Sequence, residues 1–294
     1  DFEIEIEKML CQLSILFYES KNNKNNRIDL SKISLTENFV NLGIYTIVSS
    51  NLIRIQEKYI DQRSKNIDEA KVLEHFAQSL KQFTSIFNKY LVSVVFLFYD
   101  YNKISNKNYF EKVERFLTFN YTDSLQKFYN IDESRLSYIH GRTSFSKEEH
   151  SIVLGIESLP EELKEFKVYD FEKSFQKVIS NINSVFVEEP KSGKYAKKVH
   201  FFYVIGHSLD KSDSNYINEV FRYLILDESK SSKIIIFYYD KVDYTLKLRN
   251  LYSYVSKETI EKFNKEERLV FKPLNETNLN KYINEMEFNE EIYV

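Results

Sequence analysis

Phe201-Phe202-Tyr203-Val204-Ile205-Gly206-His207-Ser208-Leu209 is the stretch on which the fold of this chain turns. Its first five residues are apolar on both faces, as expected for a central strand of a parallel sheet. The run then breaks at a glycine beside a histidine. A second run of the same kind, Ile234-Ile235-Ile236-Phe237-Tyr238-Tyr239, follows after a helical pattern over Ser212–Leu226. Strand, helix and strand in that order read as parallel neighbours joined by a crossover helix.

Working outward, short apolar runs alternate with helical patterns from about Val113 onward. The runs are Phe116–Phe119, Leu136–Ile139, Ile152–Leu154, His200–Ile205, Lys233–Tyr238 and Leu269–Phe271. Helical patterns cover Thr122–Tyr129, Tyr169–Asn183, Ser212–Leu226, Tyr244–Val255 and Asn278–Met286. This alternation predicts an α/β domain over 113–294, with a mostly parallel, Rossmann-like sheet and helices on both faces. The Glu188–Lys198 stretch, with Pro190 and Gly193, reads as a surface loop. The cluster Lys191, Lys194, Lys197 and Lys198 within it reads as a solvated loop, with contact to phosphates as the alternative.

Residues 1–112 read instead as a helical accessory region. Phe2, Ile4, Ile6, Met9, Leu10, Leu13 and Phe17 open it with an amphipathic pattern. Lys21-Asn-Asn-Lys-Asn-Asn-Arg27 is a loop by composition, and a second helical stretch is expected around Thr36 to Lys65. The third helix is the plainest, with Ile67, Ala70, Leu73, Phe76, Ala77, Leu80, Phe83, Phe87, Tyr90 and Leu91 at spacings of three and four. Asp68 and Glu69 at its start suit the helix dipole. The apolar run Tyr90–Tyr99 is roughly half the length that spans a bilayer and reads as a buried helix end. The chain opens at Asp1, without a methionine and directly in an amphipathic pattern, so an amino-terminal piece is expected to be missing.

Bulk properties narrow the function. A net charge of -3 gives no field that recruits nucleic acid or an acidic membrane. Cys11 is the only cysteine, which excludes an internal disulfide and a thiolate metal cluster. That count and the lack of a visible signal peptide suit a cytoplasmic protein. No Gly-x-Gly-x-x-Gly or Gly-x-x-x-x-Gly-Lys motif occurs, and no His or carboxylate spacing suggests a metal.

Three polar segments end strand-like runs, where open α/β sheets build their sites. Phe119-Asn120-Tyr121-Thr122-Asp123 delivers Asn120 to a strand terminus, while Thr122 or Asp123 also serves as a helix cap. Ile139-His140-Gly141 places an imidazole, suited to acid/base work near neutrality, beside a glycine; a packed core histidine is the alternative. Gly206-His207-Ser208 precedes a helix beginning near Ser212, and its backbone amides with that helix's amino end suit phosphate. Ser208 adds a hydroxyl, and Asp210 or Asp213 can hold a ribose hydroxyl. Capping by Ser212 or Asp213 is compatible with both. With only five glycines in the chain, those at Gly141 and Gly206 mark tight turns or close approach. His75, on the long helix, His150, in a charged loop, and His200, at a strand start, carry less weight.

Phe119-Asn120-Tyr121-Thr122, then Ile139-His140-Gly141, then Ile205-Gly206-His207-Ser208-Leu209 with Ser212-Asp213 resemble the AbiH-like bacteriophage abortive infection proteins in motif, order and spacing. Asp1-Phe2-Glu3 resembles the Asp-Phe-Glu that follows that family's opening segment, and the family's Gly-Asn-Gly-Phe-Asp motif would lie upstream. A more distant likeness runs to sirtuins. Thr118-Phe119-Asn120 is similar to their Thr-Gln-Asn, His140-Gly141 to their His-Gly, and Gly206-His207-Ser208 to their Gly-Thr-Ser. Thr122 stands where sirtuins place an aspartate, with Asp123 one step later, and the sirtuin zinc cysteines have no counterpart.

These resemblances imply a sirtuin-like domain and a role in anti-phage defence. They imply NAD or a related nucleotide as ligand and substrate, with no metal. His140 would act as base and Asn120 would orient the ribose or a water. Gly141, Gly206, His207, Ser208, Asp213 and Asp123 would line the nucleotide. A phage-derived trigger, a defence partner protein and a second copy of the chain are the macromolecular partners to consider, and no membrane is among them. The alternative is a nucleotide-sensing or protein-binding module without turnover. A nuclease is a third reading that lacks a carboxylate cluster to support it.

Overall fold

A computed structural model describes residues 2–21, 27–29, 42–101, 109–146, 150–182, 187 and 199–285. Outside them lie most of the Lys21–Arg27 loop, the Lys191–Lys198 cluster and the first part of the second helical stretch. By its contacts the chain divides into two units. One comprises Asp1–Lys103, Thr118–Ser124 and Tyr138–Asn183; the other comprises Ile104–Leu117, Leu125–Ser137 and Ser184–Val294.

The first unit is built on two helices and an antiparallel sheet. The Phe2–Lys21 helix buries Ile6, Leu10, Leu13, Leu16 and Phe17, one stripe at helical spacing. The Glu69–Tyr90 helix is capped by Asp68, whose side chain accepts from the Lys71 N–H, and buries Val72, Leu73, Phe76 and Leu80. These faces meet in one core with Ile28, Ile53, Ile55, Ile156 and Phe171.

Two expectations fail in this unit. The stretch around Thr36 to Lys65 forms no α-helix where it is described, only a 3-10 turn at Glu57–Tyr59: Tyr45–Ser49 forms β2 and Leu52–Ile55 forms β3, antiparallel to each other, and β1 at Arg27–Asp29 pairs with β3 on its other edge. The reason is local. Thr46, Ile47 and Val48 are β-branched, and Ser49-Ser50-Asn51 supplies the turn. Ile53 and Ile55 point into the core while Arg54 points out, which is a period of two. The Tyr90–Tyr99 run is helical, through a π-turn at Leu91–Val95 into Phe96–Tyr101, but Tyr90, Val94, Leu97 and Phe98 are exposed rather than buried.

The second unit holds the parallel sheet. Phe201–Val204, Lys233–Tyr238 and Leu269–Pro273 form β6, β7 and β8, in the order β6-β7-β8, with Val204 beside Ile236 and Ile236 beside Phe271. β7 is central and buries Ile234, Ile235, Ile236 and Phe237. One sheet face meets three helices. Tyr223 of the Ser214–Leu226 helix packs on Phe202, Tyr244 of the Lys241–Tyr254 helix packs on Phe271, and Phe263 of the Lys257–Lys265 helix stacks on Phe221. Ile235 and Phe237 on the other face meet Phe110, Ile131 and Ile283. The α/β reading is thus carried by a small sheet with helical cover on each face.

Two strand assignments need correction. β6 is half-exposed and lies at an edge of the described sheet rather than at its centre. Ile152–Leu154 is buried but joins no sheet. Its backbone bonds go to the His140 carbonyl, from Val153, and to the Gln176 side chain, which both accepts from and donates to Leu154. A glutamine amide thus replaces a neighbouring strand. Phe116–Thr118 and Leu136–Tyr138 pair as β4 and β5, and the chain passes between the two units within both.

Candidate functional site

The turn after β6 is assembled from its own side chains and from the Lys241–Tyr254 helix. Gly206 has φ +69, and nothing lies within 4 Å of where a Cβ would stand, so open space adjoins the backbone here. The Leu209 N–H donates to Nδ1 of His207 at 2.9 Å. A backbone N–H can only donate, so Nδ1 is an acceptor and the ring proton sits on Nε2. Nε2 faces the Asp213 carboxylate at 3.3 Å. Leu209 itself is buried at φ +57, a conformation that costs a branched side chain energy and persists only when its surroundings hold it.

Two residues beyond the turn hold it from outside. Asn250 donates to the Ser208 carbonyl at 3.0 Å, and the Tyr254 hydroxyl donates to the Leu209 carbonyl at 3.1 Å. Burial, with Asp210 and Asp213 nearby, pushes the Tyr254 phenol well above its usual range, so it stays a donor. Asp210 caps the following Lys211–Asp213 turn by accepting from the Ser212 N–H, and Asp213 stands at the N-cap position of the Ser214–Leu226 helix. Carboxylates at that helix start suit a ribose hydroxyl better than a phosphate. The Gly206 backbone and the exposed Ser208 are what the turn presents to an anion.

Asn120 and His140 lie in the first unit. The Asn120 N–H donates to Thr118 Oγ1 at 3.1 Å, and its side chain is exposed. His140 is only 6% exposed, with the Phe119 ring edge-on at 5.4 Å and the Tyr121 ring at 6.4 Å. A Cβ on Gly141 would stand 1.8 Å from the Ser151 carbonyl oxygen, so this glycine is demanded by an internal contact. Thr143 N–H returns to the Tyr121 carbonyl at 2.8 Å, and Asn88 clamps Ser144 through both of its amide atoms. The result is a tight loop with His140 inside it. Asp123 is half-buried just before the Ser124–Tyr129 helix.

The remaining histidines stand elsewhere. His75 Nε2 meets the Leu42 carbonyl at 3.3 Å, and His200 packs on Tyr223 at 5.1 Å. Burial lowers the pKa of His150. Among the described residues no three His, Cys, Asp or Glu side chains gather as a metal site, and no helix is long and apolar enough to cross a membrane.

The geometry is that of an α/β protein whose described sheet carries, after an edge strand, a glycine turn with open space beside its backbone. Residues 4–238 match the family of bacteriophage abortive infection AbiH proteins, and the chain belongs to that family. The matched region takes in all three polar segments and ends within the described parallel sheet, at the last residue of β7. No curated protein and no solved structure matches the chain. Family membership ties this protein to defence against bacteriophage by abortive infection.

Proposed function

We propose that this AbiH-family chain acts in abortive infection by binding a nucleotide at the turn after β6, with NAD or a related nucleotide as the ligand class. The observation that carries the reading is the open backbone at Gly206, set at the carboxyl end of a parallel strand and held from outside by Asn250 and Tyr254. Gly206 and Ser208 would meet phosphate, His207 would keep the turn in shape, and Asp213 would reach a ribose hydroxyl.

In the catalytic form of this reading the bound nucleotide is hydrolysed at the glycosidic carbon. His140 deprotonates the attacking water, and Asn120 orients it. In the other form the same turn senses a nucleotide without turnover. The burial of His140 against Phe119 and Tyr121 favours the second form, because a general base must come within hydrogen-bond reach of its substrate. Nucleotide profiling by mass spectrometry, in phage-challenged cells expressing the full-length protein, separates the two. Loss of NAD supports hydrolysis. Unchanged pools, together with NAD or ADP-ribose raising the melting temperature of the purified chain, support sensing. Unchanged pools with no thermal response to any nucleotide overturn the proposal.

A further inference from the structure

The Glu69–Tyr90 helix and its continuation through the π-turn to Tyr101 have two apolar faces where a surface helix has one. The inner face, through Val72, Leu73, Phe76, Leu80 and Leu91, is used up in the core of its unit. The outer face carries Phe83, Ile86, Tyr90, Val94, Leu97 and Phe98, each between 39% and 62% exposed. Single exposed apolar residues need no explanation, but six at spacings of three and four along about 22 Å of helix do. The ring of Phe2 stacks on Phe83 at 4.5 Å and extends the patch sideways.

We propose that this face is where a second copy of the chain docks, by helix against helix about a twofold axis. Phe83, Tyr90 and Leu97 stand seven residues apart, with Ile86 and Val94 between them. The first two stand one heptad apart on regular helix; Leu97 lies beyond the π-turn at Leu91–Val95, and the face remains exposed across that turn. An antiparallel pairing centred on Tyr90 sets Phe83 of each copy opposite Leu97 of the other, so one patch serves both partners, as a twofold interface requires. No acidic residue occurs from His75 to Tyr99, and the only charges there are Lys81 and Lys89, so pairing strands no carboxylate. Six such side chains offer roughly 600 Å² per copy, and about 1,200 Å² over the pair reaches the lower end of stable interfaces.

The charge pattern argues against a lipid surface as occupant. Helices that lie on membranes carry many Lys and Arg on their polar face, whereas this stretch has two lysines in a chain of net charge -3.

Sedimentation of the purified chain across the micromolar range tests the proposal. The expected result is twice the chain mass, shifting to the chain mass in Ile86→Glu and, separately, in Leu97→Ser. Both residues are more than half exposed, so both variants should melt like the parent. As a second arm, Tyr90→Cys in a Cys11→Ser background should give a covalent dimer under mild oxidation, since Tyr90 would face its own copy across the axis. A monomeric parent overturns the proposal. So does a dimer that neither variant weakens, and so does a monomer that binds anionic vesicles through Ile86.

Discussion

His207 and Leu209 are tied across the turn after β6: the Leu209 N–H donates to Nδ1 of His207 at 2.9 Å, while Nε2 of the same ring faces Asp213 at 3.3 Å. The histidine thus bridges the turn to the start of the next helix. His207→Ala leaves the N–H of a buried residue without its acceptor, at a cost of about 1–3 kcal/mol. His207→Asn keeps an acceptor near the position of Nδ1 and loses only the reach to Asp213. Thermal unfolding should rank them parent, Asn, Ala. Equal melting of the Ala variant and the parent would show that the ring does not hold the turn.

The two glycines beside histidines should respond differently to alanine. Gly141→Ala drives a methyl group to 1.8 Å from the Ser151 carbonyl oxygen, and backbone must move to admit it. Gly206→Ala meets no atom within 4 Å and incurs only the left-handed backbone cost, roughly 1–2 kcal/mol. Gly141→Ala is therefore expected to unfold or melt far below the parent, while Gly206→Ala folds. If a nucleotide approaches the Gly206 backbone, that folded variant should bind it more weakly by calorimetry. Undiminished binding would remove Gly206 from the ligand's path.

The contrast between these glycines shows what a chain reveals without its structure. Both were legible as turns, because a glycine after an apolar run has few other uses. That one is filled by Ser151 and the other lies open is set by packing from distant chain. β7 was legible to the residue, since its four core positions are Ile and Phe on both faces. β6 looks just as apolar, yet its neighbours place it at an edge of the described sheet. The Tyr45–Ile55 hairpin was hidden because Ile44, Ile47, Val48 and Ile55 also fit a helical spacing. At the site, Asp210-Lys211-Ser212 is a capping signal in plain view. Asn250 and Tyr254 carry no local mark, because their role arises only where their helix crosses the turn.

Acid should loosen the second unit through Asp227. Its carboxylate accepts from the Ser229 and Ser232 N–H groups and meets the Arg268 guanidinium at 3.2 Å, and Asp227, Ser232 and Arg268 are all buried. Burial raises its pKa, but the hydrogen bonds and Arg268 outweigh burial and hold it below the ordinary 3.8. A depressed folded value means that the stabilisation is complete above pH 3.8 and is lost as pH falls through the folded value. Asp227→Asn should flatten the acid end of the stability curve at some cost near neutrality. Asp227→Ala leaves the buried Arg268 with only the part-exposed Glu266, at 3.6 Å, as a carboxylate partner and should cost up to about 3–5 kcal/mol. Urea unfolding at several pH values checks both, and an Asn variant as acid-sensitive as the parent would assign the effect to other carboxylates.

His140 offers the sharpest test of whether this defence protein turns over a nucleotide. The ring is buried against Phe119 and Tyr121, and its carbonyl accepts from Val153 at 2.9 Å, so His140→Ala opens a hole in a tight loop. Loss of a packed side chain of this size typically costs about 1–3 kcal/mol, and the melting temperature should fall accordingly. His140→Phe keeps the volume and the ring contacts while removing the proton chemistry. If His140 is only packing, the Phe variant melts near the parent and still protects cells from phage, while the Ala variant loses stability and protection together. If His140 is the base of a hydrolase, both variants lose NAD turnover by about 10²–10⁴-fold, and the Phe variant does so with its fold intact. Melting curves, NAD turnover and phage plating on the two variants decide between these outcomes.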